Sequence, residues 1–229
     1  MTLGIMQPYF MPYIGYWQLM AAVDTYVVYD DVNYIKGGWV SRNNILLNGE
    51  RHMFTITLSG ASPNKLFNEI TIRDDFRKFF RMLESAYKKA PYYQPAMALL
   101  ECICKYPNRS LGEFMLHSFH SVLDYLDIHT EFILSSSIQK DNTLHGKDKV
   151  KHICQILGAD TYLNAIGGQV LYDKQEFLRD GINLYFLQTN DIQYLQFNND
   201  FISNLSIIDV LMFNSPEQTR RLLKQYTLI

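Results

Sequence analysis

Polar residues and glycines follow three predicted strands, and these strand exits hold the side chains best suited to chemistry. In open parallel sheets, ligands bind beyond the carboxyl ends of the strands. The first exit carries Gln7, Tyr13, Gly15 and Tyr16 around the start of a predicted helix. Backbone amides at a helix N-terminus can hold a phosphate, Gly15 permits close approach, and the tyrosines offer hydroxyl groups. We therefore predict that these four residues bind a nucleotide, the alternative being a loop that only packs on the core.

The second exit, residues 30–43, combines acidic, basic and aromatic side chains around a pair of glycines. The candidate residues are Asp30, Asp31, Lys36, Trp39, Arg42 and Asn43. The adjacent acids can orient a cationic group or Mg²⁺, the indole can stack on a sugar, and the basic groups can bind phosphate. We assign the acidic and basic residues to catalysis, and Trp39 and Asn43 to substrate binding. Solvated loop charges beside a packed tryptophan are the alternative.

The third exit places two consecutive glycines directly after a strand, which lets the backbone approach a ligand, although a tight turn explains the pair equally well. The residues assigned here to substrate binding are Asn164, Gly167, Gly168 and Tyr172. Upstream, Lys147 and Lys149 open a predicted helix, and we assign them to the nucleotide because their ammonium groups can reach a polyphosphate. A solvated helix start is the alternative for the two lysines.

The elements that position these exits alternate between strand and helix. The predicted strands cover residues 3–6, 25–29, 52–58, 130–134, 161–164 and 183–187. The predicted helices outside the middle of the chain cover residues 12–22, 148–157, 174–179 and 216–226. This alternation predicts an α/β fold with a mainly parallel, doubly wound sheet, in a single domain over residues 1–229.

A helical lobe is predicted as an insertion at about residues 74–128, where apolar residues recur at spacings of three and four. Pro91, Pro95 and Pro107 are expected to divide it into separate helices. Capping signals refine several boundaries. They are Asn48-Gly49 as a turn, Ser110 with Glu113 as a capping box, Gly158 and Gly181 as helix C-caps, and Ser215 to Gln218 as a helix start.

Composition limits the classes of function. Hydrophobic residues make up 48% of the chain and charged residues 19%, which indicates a globular protein. The formal charge of -2 supplies no overall attraction to nucleic acid or to an anionic membrane. Three cysteines without a CxxC motif, together with the lack of a signal-like or membrane-spanning segment, predict a cytoplasmic protein. The sequence contains no P-loop and no GxGxxG, and we assign no structural metal site.

The sequence closely resembles the WbqC-like family of bacterial proteins over essentially its whole length. The residues that carry the resemblance are 5–16, 22–24, 29–32, 42–43, 157–164, 167–168, 171–172 and 205–214. The family is tied to gene clusters for O-antigen and other surface polysaccharides, and a glycine-transferring role has been suggested for its members. The resemblance therefore implies an enzyme whose substrates are a small acid and a sugar nucleotide.

A looser similarity concerns mechanism. The order of strand, proline-containing loop, Ile14-Gly15, helix and strand resembles the HIGH-type nucleotidyltransferases and the pantothenate-synthetase-like ligases, which implies a HUP/Rossmann-like fold that uses ATP and Mg²⁺. The two histidine positions of that motif fall on Tyr13 and Tyr16. Because a phenol carries no positive charge at neutral pH, the cationic role passes to the basic residues of the exits. These are Lys36, Arg42, Lys147 and Lys149.

Our leading hypothesis is a transferase or ligase that attaches a small acid, such as glycine, to a nucleotide-linked amino sugar through an ATP-derived acyl-adenylate. One alternative is a noncatalytic module that binds a sugar nucleotide or a glycosyltransferase. Another is a nucleotidyltransferase that releases pyrophosphate. Asp209 lies in an apolar stretch, where it is either a buried acid paired with a basic residue of the site or a helix-capping acid. No oligomeric state is predicted.

Overall fold

A computed structural model describes residues 1–197 and 200–229. Its strands are β1 (Thr2–Met6), β2 (Thr25–Val28), β3 (Arg42–Leu47), β4 (Glu50–Thr55), β5 (Leu58–Ser59), β6 (Thr71–Ile72), β7 (Glu131–Leu134), β8 (Thr161–Ala165), β9 (Asn183–Thr189) and β10 (Tyr226–Leu228). Its helices are α1 (Ile14–Ala21), α2 (Arg77–Tyr87), α3 (Tyr93–Cys104), α4 (Leu111–Tyr125), α5 (Gly146–Ile156), α6 (Lys174–Arg179), α7 (Ile207–Phe213) and α8 (Pro216–Leu223). Short 3-10 turns cover Phe67–Glu69, Ser135–Ser137 and Ile166–Val170.

The main sheet has the strand order β10-β9-β8-β1-β2-β7. β1 pairs in parallel with both β2 and β8, and the outer pairs β2–β7 and β8–β9 are also parallel. β10 adds an antiparallel edge strand beside β9. These pairings confirm the α/β class and the mainly parallel sheet. From β1 the chain adds β2 and then β7 on one side, and it later adds β8, β9 and β10 on the other side of β1. The strand order therefore reverses between β1 and β8. Open parallel sheets bind ligands at such switch points.

Helices cover both faces of this sheet, and the side chains of its strands alternate between the two. Leu3 and Ile5 of β1 belong to a buried cluster that includes Ile153 of α5 and Phe177 of α6. On the opposite face, Tyr26 of β2 belongs to a larger cluster built with α1, α4 and α7. Successive side chains of these strands therefore point to opposite faces of the sheet, and both faces are buried under helices. The narrower HUP/Rossmann-like assignment stays a prediction.

The predicted helical lobe consists of α2, α3 and α4, which share the larger cluster with α1 and α7 instead of enclosing a separate one. Pro91 and Pro107 lie between helices, as expected. The expectation for Pro95 was wrong, since it lies inside the first turn of α3, where a missing backbone N–H costs no helical hydrogen bond. Among the described residues, no helix has both the length and the apolar composition that crossing a bilayer demands.

Three boundary predictions require correction. Residues 42 and 43 belong to β3 and not to a loop, because they pair with β4 in a hairpin. Its turn is the predicted Asn48-Gly49, with φ of 53° and 78°. The predicted strand over residues 52–58 is interrupted after Thr55, and the last helix ends at Leu223 because the chain turns back to form β10.

The capping predictions had mixed outcomes. The capping box of Ser215 with Gln218 is confirmed. Gly158 and Gly181 follow their helices with φ of 69° and 76°, so the two glycine C-caps are also confirmed. Ser110 does precede α4, but its side chain makes no capping hydrogen bond, so the box predicted there does not form.

Candidate functional site

A groove lined by three aromatic rings lies where β1 and β2 pass into their loops. We call it the aromatic groove; its volume is about 380 Å³, and its lining residues are Tyr9, Pro12, Tyr13, Trp39, Asn43, Asn44, Arg51 and Asn204. The Trp39 ring is accessible, with 49% of the residue exposed. Tyr9 and Tyr13 are half-buried. Exposed aromatic faces beside amide and guanidinium groups suit a sugar ring and its polar substituents.

The loop that follows β1 is held in place through the carbonyl of Met11. Met11 has a φ of 45°, and its carbonyl oxygen accepts hydrogen bonds from Nδ2 of Asn43 at 2.9 Å and from Oγ of Ser206 at 2.7 Å. Oδ1 of Asn43 also accepts from the backbone N–H of Asn44. The amide of Asn43, which was predicted to bind substrate, is therefore engaged in positioning this loop.

The start of α1 does not offer the predicted phosphate site. A Cβ at Gly15 would lie 2.5 Å from Oγ1 of Thr189 and 2.5 Å from the ring of Tyr13, so the protein's own side chains occupy this space. Tyr16 is 2% exposed, and its hydroxyl donates to the backbone carbonyl of Gln7 at 2.5 Å. Burial raises the pKa of Tyr16 well above its ordinary value. Gly15 and Tyr16 are thus packing residues, while Tyr13 lines the aromatic groove.

The two acids of the second exit are engaged by protein groups and do not fit Mg²⁺. The Asp30 carboxylate is buried and accepts from the backbone N–H of Ser136 at 2.9 Å and from its hydroxyl at 2.6 Å. Oδ2 of Asp31 pairs with Lys140 at 2.8 Å and with Lys149 at 3.1 Å. A cation has no place beside two ammonium groups. Within the described residues, no three His, Cys, Asp or Glu side chains converge as metal ligands.

The Lys140–Asp31–Lys149 cluster is nearly closed to solvent. The Lys140 and Lys149 side chains are 1% and 8% exposed. Burial raises the pKa of Asp31, but hydrogen bonds from Lys140 and Lys149 outweigh burial and hold that pKa below its ordinary value. Lys149 is therefore a structural counter-ion in this arrangement. Lys140 was not among the predicted site residues. It follows β7 in the chain, just as the predicted candidates follow their own strands.

The remaining basic residues differ in their surroundings. Lys147 pairs with Glu176 at 2.7 Å, on the side of α5 that faces α6. Lys36 is exposed in the loop that carries Trp39. Arg42 donates through Nε to the carbonyl of Gly38 and places its guanidinium 5.8 Å from the Trp39 ring centroid.

Arg51 was missed because it enters the aromatic groove from β4. Only the register of the β3–β4 hairpin brings it there. Its guanidinium donates to the carbonyl of Ser203 at 2.8 Å. The local sequence around position 51 does not predict that Arg51 lines the aromatic groove.

The residues of the third exit stabilise a turn and do not line the aromatic groove. Asn164 donates to the Tyr162 hydroxyl at 3.2 Å, and its Oδ1 accepts from the N–H of Ala165 at 2.7 Å. A Cβ at Gly168 would lie 2.8 Å from Nδ2 of Asn164, so the Asn164 side chain packs directly against this glycine. Gly167 and Tyr172 were assigned to the same substrate site. Gly167 is exposed, whereas Tyr172 packs edge-on against Tyr162 and Phe177.

Asp209 matches neither of the two interpretations offered for it. It is 0% exposed, and its partners are uncharged. Oδ1 accepts from the Tyr87 hydroxyl at 2.7 Å, and Oδ2 accepts from the Tyr194 hydroxyl and from Nε2 of Gln196, both at 2.6 Å. The side chain that caps α7 is Ser206. Asp209 is a buried acid that is satisfied by neutral donors.

The fold is that of an open α/β protein, with the aromatic groove at the carboxyl edge of a mainly parallel sheet. The chain belongs to the WbqC-like protein family, whose model matches residues 7–221. It is 24% identical over 216 residues to "Uncharacterized protein Rv1507c" of Mycobacterium tuberculosis (strain ATCC 25618 / H37Rv), with 92% of each chain covered. No solved structure matches the chain.

Proposed function

We propose that this protein is an enzyme of surface-polysaccharide biosynthesis that attaches a small acid such as glycine to the amine of a nucleotide-linked amino sugar. The observation that carries the proposal is the aromatic groove, in which the rings of Tyr9, Tyr13 and Trp39 share one cleft with the guanidinium of Arg51. Ring faces suit the sugar, and arginine suits the diphosphate that links it to the nucleoside. Membership of the WbqC-like family supports the link to surface polysaccharides.

The proposed reaction forms one amide bond. The sugar amine binds as an ammonium group, so it first loses one proton to solvent. The neutral amine then attacks the carbonyl carbon of an activated glycyl group, and the bond from that carbon to its activating group breaks. The amine proton passes to solvent, and the activating group leaves with the bonding electron pair. Catalysis of this kind consists of positioning two substrates, which is consistent with a groove that presents rings and hydrogen-bonding groups.

Activation of glycine by ATP is a separate proposal. Three residues predicted to bind the nucleotide are not available to it. Tyr16 is buried, side chains of the protein fill the space beside Gly15, and Lys149 is paired with Asp31. In this arrangement these residues do not form a site for ATP or Mg²⁺. The glycyl donor is defined only by its chemical class, an activated glycyl ester, thioester or phosphoric anhydride.

The direct test is a turnover assay read by mass spectrometry. A uridine diphosphate 4-amino sugar is incubated with the protein and either ATP plus glycine or a preformed glycyl thioester. The proposal predicts an acceptor that gains one glycyl residue, and an Arg51→Gln variant that produces far less of it. Arg221→Gln is the matched control, because Arg221 is exposed and, within the described part of the chain, its side chain pairs with Glu217 alone, across one turn of α8.

The alternatives separate in the same assay. Binding of the sugar nucleotide without amide formation from either donor contradicts the enzyme proposal and supports a noncatalytic sugar-nucleotide module. The aromatic groove is the specific observation that favours this second candidate, since rings bind a sugar whether or not a reaction follows. Release of pyrophosphate with a sugar phosphate as co-substrate identifies a nucleotidyltransferase.

A further inference from the structure

A second cavity adjoins the aromatic groove and differs from it in charge. We call it the acidic pocket; its volume is about 250 Å³, and its lining residues are Ile14, Thr189, Asn190, Asp191, Ile192, Tyr194, Phe201, Ser203, Asn204, Leu205 and Val210. Asn204 lines both cavities, so they are neighbours at the carboxyl edge of the sheet. Among the described residues that line this pocket, Asp191 is the one with a charged side chain, whereas the aromatic groove contains Arg51.

We infer that the acidic pocket is a subsite for a primary ammonium group, and specifically for the amine of the sugar whose nucleotide occupies the aromatic groove. This inference rests on the proposed function and assigns the acceptor amine to a place in the structure. Three features of the pocket support it: an exposed carboxylate, two aromatic rings, and a buried negative charge behind one of those rings.

The exposed carboxylate and the rings provide the direct contacts. Asp191 is exposed, and its only side-chain hydrogen bond among the described residues is a long one, 3.3 Å, from Gln193. Tyr194 and Phe201 meet edge to face with their centroids 5.0 Å apart. Asp191, Tyr194 and Phe201 line the same pocket. A carboxylate and aromatic rings together can bind an ammonium group through an ion pair and cation–π attraction.

The buried charge is that of Asp209, which lies behind Tyr194. Tyr87 accepts a hydrogen bond from the backbone N–H of Leu46 at 2.8 Å, so its own hydroxyl hydrogen is free to point at Asp209. Burial raises the pKa of Asp209, and the hydrogen bonds that Tyr194, Tyr87 and Gln196 donate to it oppose this rise by stabilising the carboxylate. No basic side chain neutralises this charge within the described residues. Its field therefore favours a cation in the pocket that Tyr194 lines.

The two cavities together have the polarity of a nucleotide-linked amino sugar. Arg51 in the aromatic groove faces the diphosphate, and Asp191 in the acidic pocket faces the amine. The carbonyl of Ser203, which also lines the pocket, accepts the hydrogen bond of Arg51 and so links the two ends. A nucleotide that carries a neutral sugar would leave the Asp191 carboxylate without a cationic partner from the ligand.

The test is calorimetric titration with two probes that differ in one group. They are a uridine diphosphate 4-amino sugar and the same nucleotide with a hydroxyl at carbon 4. The wild-type protein is expected to bind the amine about tenfold more tightly, and Asp191→Asn is expected to abolish this preference. Affinity for the hydroxyl probe stays unchanged in Asp191→Asn. Asp124→Asn, an exposed change on α4 outside both cavities, keeps the preference.

The outcomes separate the subsite from the proposed function. Equal binding of the two probes to the wild-type protein, or an amine preference that persists in Asp191→Asn, overturns the subsite while the aromatic groove stands as the sugar-nucleotide site. Failure of both probes to bind overturns the proposed function and the subsite with it. Because Asp191 is exposed, an unchanged thermal unfolding midpoint checks that the variant is folded.

Discussion

The Cβ position of Gly15 lies 2.5 Å from Oγ1 of Thr189, and the ring of Tyr13 approaches it equally closely. Thr189 lines the acidic pocket and Tyr13 lines the aromatic groove, so one side chain from each cavity packs against this glycine. A hydrogen atom is the largest substituent that fits there. The glycine predicted to make room for a nucleotide instead makes room for two side chains of the protein itself.

Gly15→Ala is therefore expected to destabilise the protein by about 1–3 kcal/mol, the usual cost of overpacking. Glycine to alanine within a helix normally stabilises it by about 0.5–1 kcal/mol, so the expected sign is opposite to that of the intrinsic helix propensity. Urea unfolding measures the difference. Gly167→Ala is the control, because nothing lies within 4 Å of its Cβ position. A Gly15→Ala variant as stable as wild type would contradict the observed packing.

Tyr16→Phe separates a structural from a ligand-binding role for Tyr16. Removing the hydroxyl leaves the Gln7 carbonyl without its donor, and we expect a loss of about 0.5–1.5 kcal/mol of unfolding free energy. Affinity for a sugar nucleotide should not change, since the hydroxyl is buried. A variant that keeps full stability but loses nucleotide affinity would restore the original prediction.

Asp31→Asn is expected to cost about 3–5 kcal/mol, because two nearly buried ammonium groups lose their shared counter-ion. The exposed pair provides the comparison: Lys147→Gln, which breaks the contact with Glu176, should cost no more than about 1 kcal/mol. Denaturant unfolding of both variants at neutral pH gives the two values. Equal costs would show that burial does not distinguish these ion pairs.

The same aspartate predicts how stability depends on pH. The pKa of Asp31 is lowered in the folded protein, so its contribution is complete above the unfolded value of about 3.9 and is lost as pH falls through the folded value. As the pH drops below about 4, the unfolding free energy should therefore fall more steeply in wild type than in Asp31→Asn. Parallel curves would contradict this assignment.

The sequence predicts the sheet and its exits because these depend on local signals. Runs such as residues 3–6 and 25–29 are apolar enough to identify buried strands, and β1 and β2 lie there. Asn48-Gly49 is a turn wherever two strands flank it. The composition of the aromatic groove was predictable in part, since Tyr13 and Trp39 follow the first two strands.

The rest depends on contacts between distant residues. Arg51 reaches the aromatic groove only through hairpin register, and Lys140 meets Asp31 across more than a hundred positions. The space at Gly15 is filled by Thr189, which lies on β9, more than 170 residues further along the chain. Residue type predicted charge at these places, but only the packing decides whether a charge faces a ligand or another side chain.

Asp209→Asn tests the buried carboxylate behind Tyr194. An amide cannot accept from all three donors, because its NH₂ group would face at least one of them, and the expected cost is about 1–3 kcal/mol. Chemical denaturation gives this value. We also expect weaker binding of the 4-amino probe and unchanged binding of the 4-hydroxyl probe. A stable variant with wild-type affinity for both probes would show that the Asp209 charge does not reach the acidic pocket.

Calorimetric titration of a uridine diphosphate 4-amino sugar into Trp39→Ala tests directly whether the aromatic groove binds a sugar nucleotide. Trp39 is 49% exposed, so its removal should leave the fold intact while taking away a stacking surface of the aromatic groove. Leu178→Ala on α6, at 53% exposure, is the matched control. We expect affinity about tenfold weaker in Trp39→Ala and unchanged in Leu178→Ala. Equal affinity in wild type and Trp39→Ala, or no binding to either, would contradict this expectation.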